Sequence, residues 1–147
     1  MKGTHEYAGD PRNDSILIDI NGEHFPRHEA RISVFDSGFI LGDGVWEGLR
    51  VESGTVLFLE RHLDRLFEGM KTLDFAPDFD REVLQRRLYR LLAANGMEEG
   101  VHIRLMVSRG VKATPYQDPR VTITPPTVVI IPEYKEALPE TVERGVR

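Results

Sequence analysis

Phe35-Asp36-Ser37-Gly38-Phe39-Ile40-Leu41-Gly42-Asp43-Gly44-Val45-Trp46-Glu47-Gly48-Leu49-Arg50 is the run from which the rest of the chain is read. Its four glycines make the backbone permissive enough to turn tightly and to lie against another segment. Just upstream, Arg31-Ile32-Ser33-Val34-Phe35 alternates apolar and polar residues, which predicts a strand broken by Asp36-Ser37-Gly38. At the downstream end Trp46, Gly48 and Arg50 fall at every second position, so a strand there carries all three on one side. Gly48-Leu49-Arg50-Val51, the turn Glu52-Ser53-Gly54 and Thr55-Val56-Leu57-Phe58 follow as a hairpin.

N-terminal to this run, Ser15 to Ile20, the turn pair Asn21-Gly22 and Glu23-His24-Phe25 make a second and clearer hairpin, because both turn residues tolerate positive φ. Residues 1–14 are polar and read as an arm. From Glu60 the period changes: Leu63, Leu66, Phe67, Met70 and Leu73 form one helical stripe. Asp78-Phe79-Asp80 offers caps for a second helix, whose Leu84, Leu88, Leu91 and Leu92 share a face up to the stop at Asn95-Gly96. Val101, Ile103, Leu105 and Val107 then alternate with His102, Arg104, Met106 and Ser108, so His102 and Arg104 point the same way. Val128-Val129-Ile130-Ile131 reads as a strand covered on both faces and ended by Pro132, and Gly145-Val146-Arg147 as the start of another. The fold class expected is α+β, an antiparallel or mixed sheet with two helices on one face.

Composition narrows the function. The chain has 147 residues and a formal net charge of -5, with basic residues scattered, which argues against a nucleic-acid partner. It has no cysteine, and its five histidines show no metal-ligand spacing, so no metal site is expected. No stretch approaches a membrane span, and a soluble, cytoplasmic protein is expected. No nucleophile elbow, glycine-rich phosphate fingerprint or HExxH run is present.

The pattern Asp36-x-Gly38-Phe39-x-x-Gly42-Asp43-Gly44-x-Trp46-Glu47, then a hairpin, then His62-x-x-Arg65-Leu66, resembles the class IV (fold type IV) pyridoxal-phosphate aminotransferases. That family includes branched-chain, D-amino-acid and (R)-amine transaminases and aminodeoxychorismate lyase. The resemblance runs from about Ile16 to the end. It implies that residues 15–132 are the N-terminal small domain of the D-amino-acid aminotransferase-like fold. Residues 133–147 would then be the connection to the cofactor-binding domain and its beginning. It also implies pyridoxal 5'-phosphate as cofactor, a small amino donor with a 2-oxo acid acceptor, and a homodimer.

The resemblance also assigns roles. Arg65 matches the arginine that binds the cofactor phosphate; taken without the resemblance, it is a solvent-facing residue paired with Glu68 at i+3. Trp46 matches the aromatic wall of the substrate pocket, Gly48 the small residue beside it, and Arg50 follows on the same face; by itself Trp46 reads equally well as a core aromatic. His102 and Arg104 match substrate-facing positions where branched-chain enzymes carry Tyr and Arg, and Arg104 otherwise reads as a member of an ion pair. Leu41 matches a site that reaches the partner subunit's pocket, usually a tyrosine. Thr114 and Tyr116 stand where the D-amino-acid enzymes place a carboxylate clamp, so that clamp is absent. Lys2, Lys71, Lys112 and Lys135 are the only lysines, and none has the context of the family's Schiff-base lysine. The chain therefore reads as an N-terminal part that is inactive by itself. A lyase of the same family and a non-catalytic domain that binds a ligand or partner are the other readings.

Overall fold

A computed structural model describes residues 9–135. Its strands are β1 (Leu17–Ile20), β2 (Glu23–Pro26), β3 (Gly44–Glu52), β4 (Thr55–Val56), β5 (Val101–Ser108) and β6 (Thr127–Tyr134). The helices are α1 (Ser37–Leu41), α2 (Leu59–Thr72) and α3 (Arg81–Asn95). All strand pairs are antiparallel, in one sheet of order β2-β1-β6-β5-β3-β4.

The β1–β2 turn forms as read, with Asn21 at φ +52° and Gly22 at +91°, the positive values that a two-residue hairpin turn matching the strand twist requires. Alternation then decides which face is buried. Leu49 and Val51 of β3, Val101, Ile103, Leu105 and Val107 of β5, and Val128 and Ile130 of β6 form one apolar cluster with Leu63, Leu66 and Met70 of α2 and Leu84, Leu88, Leu91 and Leu92 of α3. Both long helices thus cover the same face. The Asp80 carboxylate starts α3 by accepting from the Val83 N–H at 2.8 Å, and Gly96 ends it in the left-handed region.

The glycine-rich run becomes α1 and the start of β3. The Asp36 side chain accepts from the Gly38 N–H at 2.9 Å to open α1, and from the Ser108 hydroxyl at 2.9 Å, tying the helix to the end of β5. A Cβ on Gly38 would sit 3.0 Å from Ser108 Cβ, and one on Gly44 2.8 Å from the Val107 carbonyl oxygen, so both glycines are needed for close approach.

Three expectations are corrected. Residues 31–35 are not a strand: they pair with none of the six strands, Phe35 meeting only the Lys112 N–H beside the isolated Asp36–Val111 bridge, and Ile32, Val34 and Phe35 are exposed, so their alternation has no sheet to serve. Pro132 does not end β6, which runs on to Tyr134. Pro132 has the parity of Val128, which bonds toward β1, and β1 pairs with β6 only through Asp19 and Ile20. The N–H that Pro132 lacks therefore faces a side with no partner strand. Nor is β6 covered on both faces, since Val129 and Ile131 are only half-buried.

Near the N-terminus Pro11–Ser15 forms a 3₁₀ turn. The Asn13 side chain bonds the Tyr134 backbone in both directions, at 3.0 and 2.8 Å, and Arg12 lies 4.0 Å over the Tyr134 ring. The expected strand at Gly145-Val146-Arg147 lies outside the described residues, as does Lys2.

Candidate active site

The strand register places five of the sequence-derived site residues together on the face turned away from the helices. Arg50, His102 and Glu133 form one row across β3, β5 and β6; Gly48, Arg104 and Ile131 form the next; Trp46, Met106 and Val129 form the third. Side chains in such rows are cross-strand neighbours. Arg104 leans diagonally over Trp46, its guanidinium carbon 3.9 Å from the ring centre. Trp46 is 60% exposed, so it is no core aromatic, and Arg104 lies over its ring, with no ion pair among the described residues to bear out the alternative reading.

Gly48 makes room for His102: a Cβ there would lie 3.2 Å from His102 Nε2. Burial, followed by the positive charges of Lys135, Arg104 and Arg50, holds the His102 pKa below its usual 6.5, against a smaller opposing pull from Glu133. Its ring is therefore neutral at pH 7. Arg50 is already engaged, its Nε donating to Glu52 Oε1 at 2.8 Å and its Nη1 to the Lys135 carbonyl. Arg104, by contrast, makes no hydrogen bond or ion pair among the described residues beyond its place over the Trp46 ring.

This row borders an open sheet edge. β4 pairs only with Val51 and Glu52 of β3. The Arg50 carbonyl accepts from the Leu57 N–H at 2.8 Å on the β4 side, so Gly48 and Trp46, of the same parity, direct their N–H and C=O groups outward there.

Arg65 stands on the other side of the sheet, on α2. It does not pair with Glu68. Its Nε and Nη2 grip both oxygens of Glu47 at 2.7 and 2.5 Å, and His62 Nδ1 meets Glu47 Oε2 at 2.8 Å. Glu47 is only 4% exposed, whereas the Arg65 side chain is 70% exposed. Burial acts to raise the Glu47 carboxyl, but the hydrogen bonds from Arg65 and His62 outweigh it and hold its pKa below the usual range; in return Glu47 raises that of Arg65. Glu47 and His62 were not among the expected site residues. The available signal was an acidic residue in the apolar phase of β3, between Val45 and Leu49.

Leu41 ends α1 and is exposed. An apolar cavity of about 360 Å³ lies between α1 and the sheet, lined by Ile32, Phe39, Trp46, Met106 and Val129 among others. A larger one, about 680 Å³, lies by Arg86, Arg87 and Arg90, away from these residues. There Arg87 and Arg90 are engaged by Asp19 and the Gly22 carbonyl, so the smaller cavity is the one tied to the site. Lys71 is exposed on α2, Lys112 is buried with Nζ donating to the Asp118 carbonyl at 3.0 Å, and Lys135 follows β6 beside the Arg50 row. Among the described residues no group of three or more His, Asp or Glu could hold a metal, and no helix is long and apolar enough to cross a membrane.

The chain is 41% identical over 85% of its length to branched-chain-amino-acid aminotransferase-like protein 1 of Arabidopsis thaliana, of which it spans 22%. Among solved structures it matches 4-amino-4-deoxychorismate lyase from Pseudomonas aeruginosa, with TM-score 0.66 and 34% identity, covering 85% of this chain and 42% of that one. It also matches a T.th. branched-chain amino acid aminotransferase complexed with N-(5'-phosphopyridoxyl)-L-glutamate, with TM-score 0.71 and 26% identity, covering 83% and 41%. The chain thus spans between about a fifth and two fifths of these proteins. The family model for amino-transferase class IV matches residues 44–146, the span holding β3, the Glu47–Arg65 pair and the His102–Arg104 strand. On the family match over residues 44–146 and the 41% identity to a relative, the chain belongs to the class IV aminotransferases.

Proposed function

We propose that the full-length product of the gene is a pyridoxal-phosphate-dependent transaminase, and that this chain supplies its small domain, residues 15–132. In this reading Arg65 faces the cofactor phosphate, and Trp46, Gly48, Arg50, His102 and Arg104 form the amino-donor side. The donor set fits the cofactor, because an exposed guanidinium held on a helix suits a dianionic phosphate. When bound, pyridoxal phosphate supplies the electron-accepting ring that takes up and returns the amino group.

The residues of this chain bind and orient. Arg104, flattened on Trp46, keeps its charge at the surface for a carboxylate, while the indole gives an apolar side chain a wall. Neutral His102 offers a hydrogen-bonding ring nitrogen without a second fixed charge. The observation that carries the reading is the 3.9 Å Arg104–Trp46 stack on the open face, one row from His102. It points to amino acids with apolar side chains as donors and to 2-oxoglutarate or pyruvate as acceptor. The exposed run Ile32, Val34, Phe35, Phe39 and Leu41 suits burial by a second copy in a homodimer, with Leu41 toward the partner's pocket.

The test compares Arg104→Ala with wild type in the full-length protein, on L-leucine and on 1-phenylethylamine, following glutamate or alanine formed from the acceptor. Loss of a charged hydrogen bond should cost about 1.5–3 kcal/mol in kcat/KM on the carboxylate-bearing donor and little on the amine. Equal effects on both donors, or none, would remove the carboxylate role. Lyase activity on 4-amino-4-deoxychorismate is the second reading, favoured by the 34% identity to the solved lyase, and turnover of that substrate without amino transfer would establish it.

A further inference from the structure

We infer that Glu47 is the positioning residue of the anion site: it fixes the Arg65 guanidinium from beneath, so that the ligand phosphate meets an arginine already aimed. The inference rests on the reading of Arg65 as the phosphate residue.

The first observation is that a carboxylate stands where packing asks for none. Glu47 shares the helix-side phase of β3 with Leu49 and Val51 and is 4% exposed. A buried carboxylate is unfavourable unless its oxygens are satisfied, and an apolar side chain would fill the place without that requirement. Here both oxygens are satisfied from one helix, by residues three apart on α2, His62 and Arg65.

The second observation concerns which edge of the guanidinium is used. Arg65 has five N–H groups. Glu47 takes Nε–H and one Nη2–H, the side edge. The two Nη1–H and the outer Nη2–H have no partner among the described residues, and they form a second edge suited to two phosphate oxygens. His62 Nδ1 donates to Glu47 Oε2, so the 3.3 Å approach of Arg65 Nη2 to that nitrogen sets two donors side by side on one carboxylate oxygen and is no hydrogen bond. A long, exposed arginine would otherwise sample many rotamers, and Glu47 limits it to one before the ligand arrives. Glu47, 4% exposed beneath the guanidinium, acts on the ligand only through it.

The experiment measures equilibrium dialysis of pyridoxal phosphate and of pyridoxal against the full-length apoprotein, in wild type, Glu47→Gln, Glu47→Leu and Arg65→Ala. Pyridoxal lacks only the phosphate, so the ratio of the two affinities reports on the phosphate site and not on general damage. The expected result is a tenfold or greater fall in pyridoxal phosphate affinity in Glu47→Gln, with pyridoxal binding unchanged within twofold. Glu47→Leu, which packs with Leu49, carries the same test should the amide variant misfold. An unchanged ratio in both Glu47 variants, or equal loss of both ligands, would overturn the positioning role. If Arg65→Ala also leaves the ratio unchanged, the assignment of Arg65 to the phosphate is itself wrong. If Arg65→Ala collapses the ratio and the Glu47 variants do not, only the role of Glu47 fails.

Discussion

Removing Arg87 should destabilise the fold without touching the candidate site. Asp19 of β1 is fully buried under α3 and accepts from the Gly22 N–H at 3.0 Å and from the Arg87 guanidinium, whose side chain is only 11% exposed. Arg90 and His24 stand farther off, at 3.7 and 3.8 Å from Asp19. Arg87→Met keeps the aliphatic stem over the hairpin but leaves the carboxylate with one short hydrogen bond. Breaking such a pair from one side costs about 3–5 kcal/mol, and Arg90, able to swing closer, places the expectation near 3. For a chain of this size each kcal/mol lowers the thermal midpoint by ~3–4 °C, so a drop of roughly 9–12 °C should appear in circular dichroism melts. The second arm is Arg87→Met with Asp19→Asn, in which no charge is left buried and the amide oxygen still accepts from Gly22; most of the loss should return. A single variant that melts within about 2 °C of wild type, or a double variant no better than the single, would refute the account of Asp19 as a charge held by Arg87.

Two further outcomes follow from particular contacts. Gly110 adopts φ +118°, and a Cβ there would come 2.5 Å from the Pro125 carbonyl oxygen, so Gly110→Ala should destabilise by ~1–3 kcal/mol in urea titration with an unchanged m-value. His102 has a folded pKa below 6.5, so just below that value the unfolded chain binds a proton that the folded one refuses; stability therefore falls as pH drops from 6.5 toward the folded pKa. Urea midpoints at pH 7.5 and 5.5 should differ more in wild type than in His102→Gln, and equal differences would sink the assignment. Glu47 acts in the same sense only at lower pH, its contribution being lost as pH falls below 4.5.

Where the sequence was readable, a local rule had no rival. Asn21-Gly22 is a pair whose two residues both accept the positive φ of a two-residue hairpin turn, and the Leu84, Leu88, Leu91, Leu92 stripe has only one face to bury. Residues 31–35 misled because alternation records which side chains could share a face, not whether another strand lies beside them; here the chain turns at Val34-Phe35 into α1. Pro132 misled for the opposite reason. It is excluded from a strand only where its N–H is needed, and that depends on how far β1 runs along β6, a property of the partner and not of the segment. The same holds for Asp19, whose partner Arg87 lies 68 residues away and is joined to it only by the packing of α3 on β1.

The site divides along the same line. The residues on the open face were legible as a group because strand parity links Trp46 to Gly48 to Arg50, and His102 to Arg104, before any pairing is known. Pairing β3 with β5 then needed only to bring the two sets into register, and it set Gly48 opposite Arg104 with His102 over the glycine. Parity also held a signal that passed unused. In Val45-Trp46-Glu47-Gly48-Leu49-Arg50-Val51 the apolar phase is 45, 49 and 51, and Glu47 falls in it while Trp46 falls in the polar phase with Arg50. Each is out of place by hydropathy, and each proves to be engaged with an arginine, Glu47 with Arg65 beneath the sheet and Trp46 with Arg104 above it. Two adjacent residues that both break the hydropathy phase mark the strand on which the sheet's two arginine sites meet. The identity of those arginines could not be read at that strand, because one comes from a helix and the other from a neighbouring strand that pairing alone brings alongside.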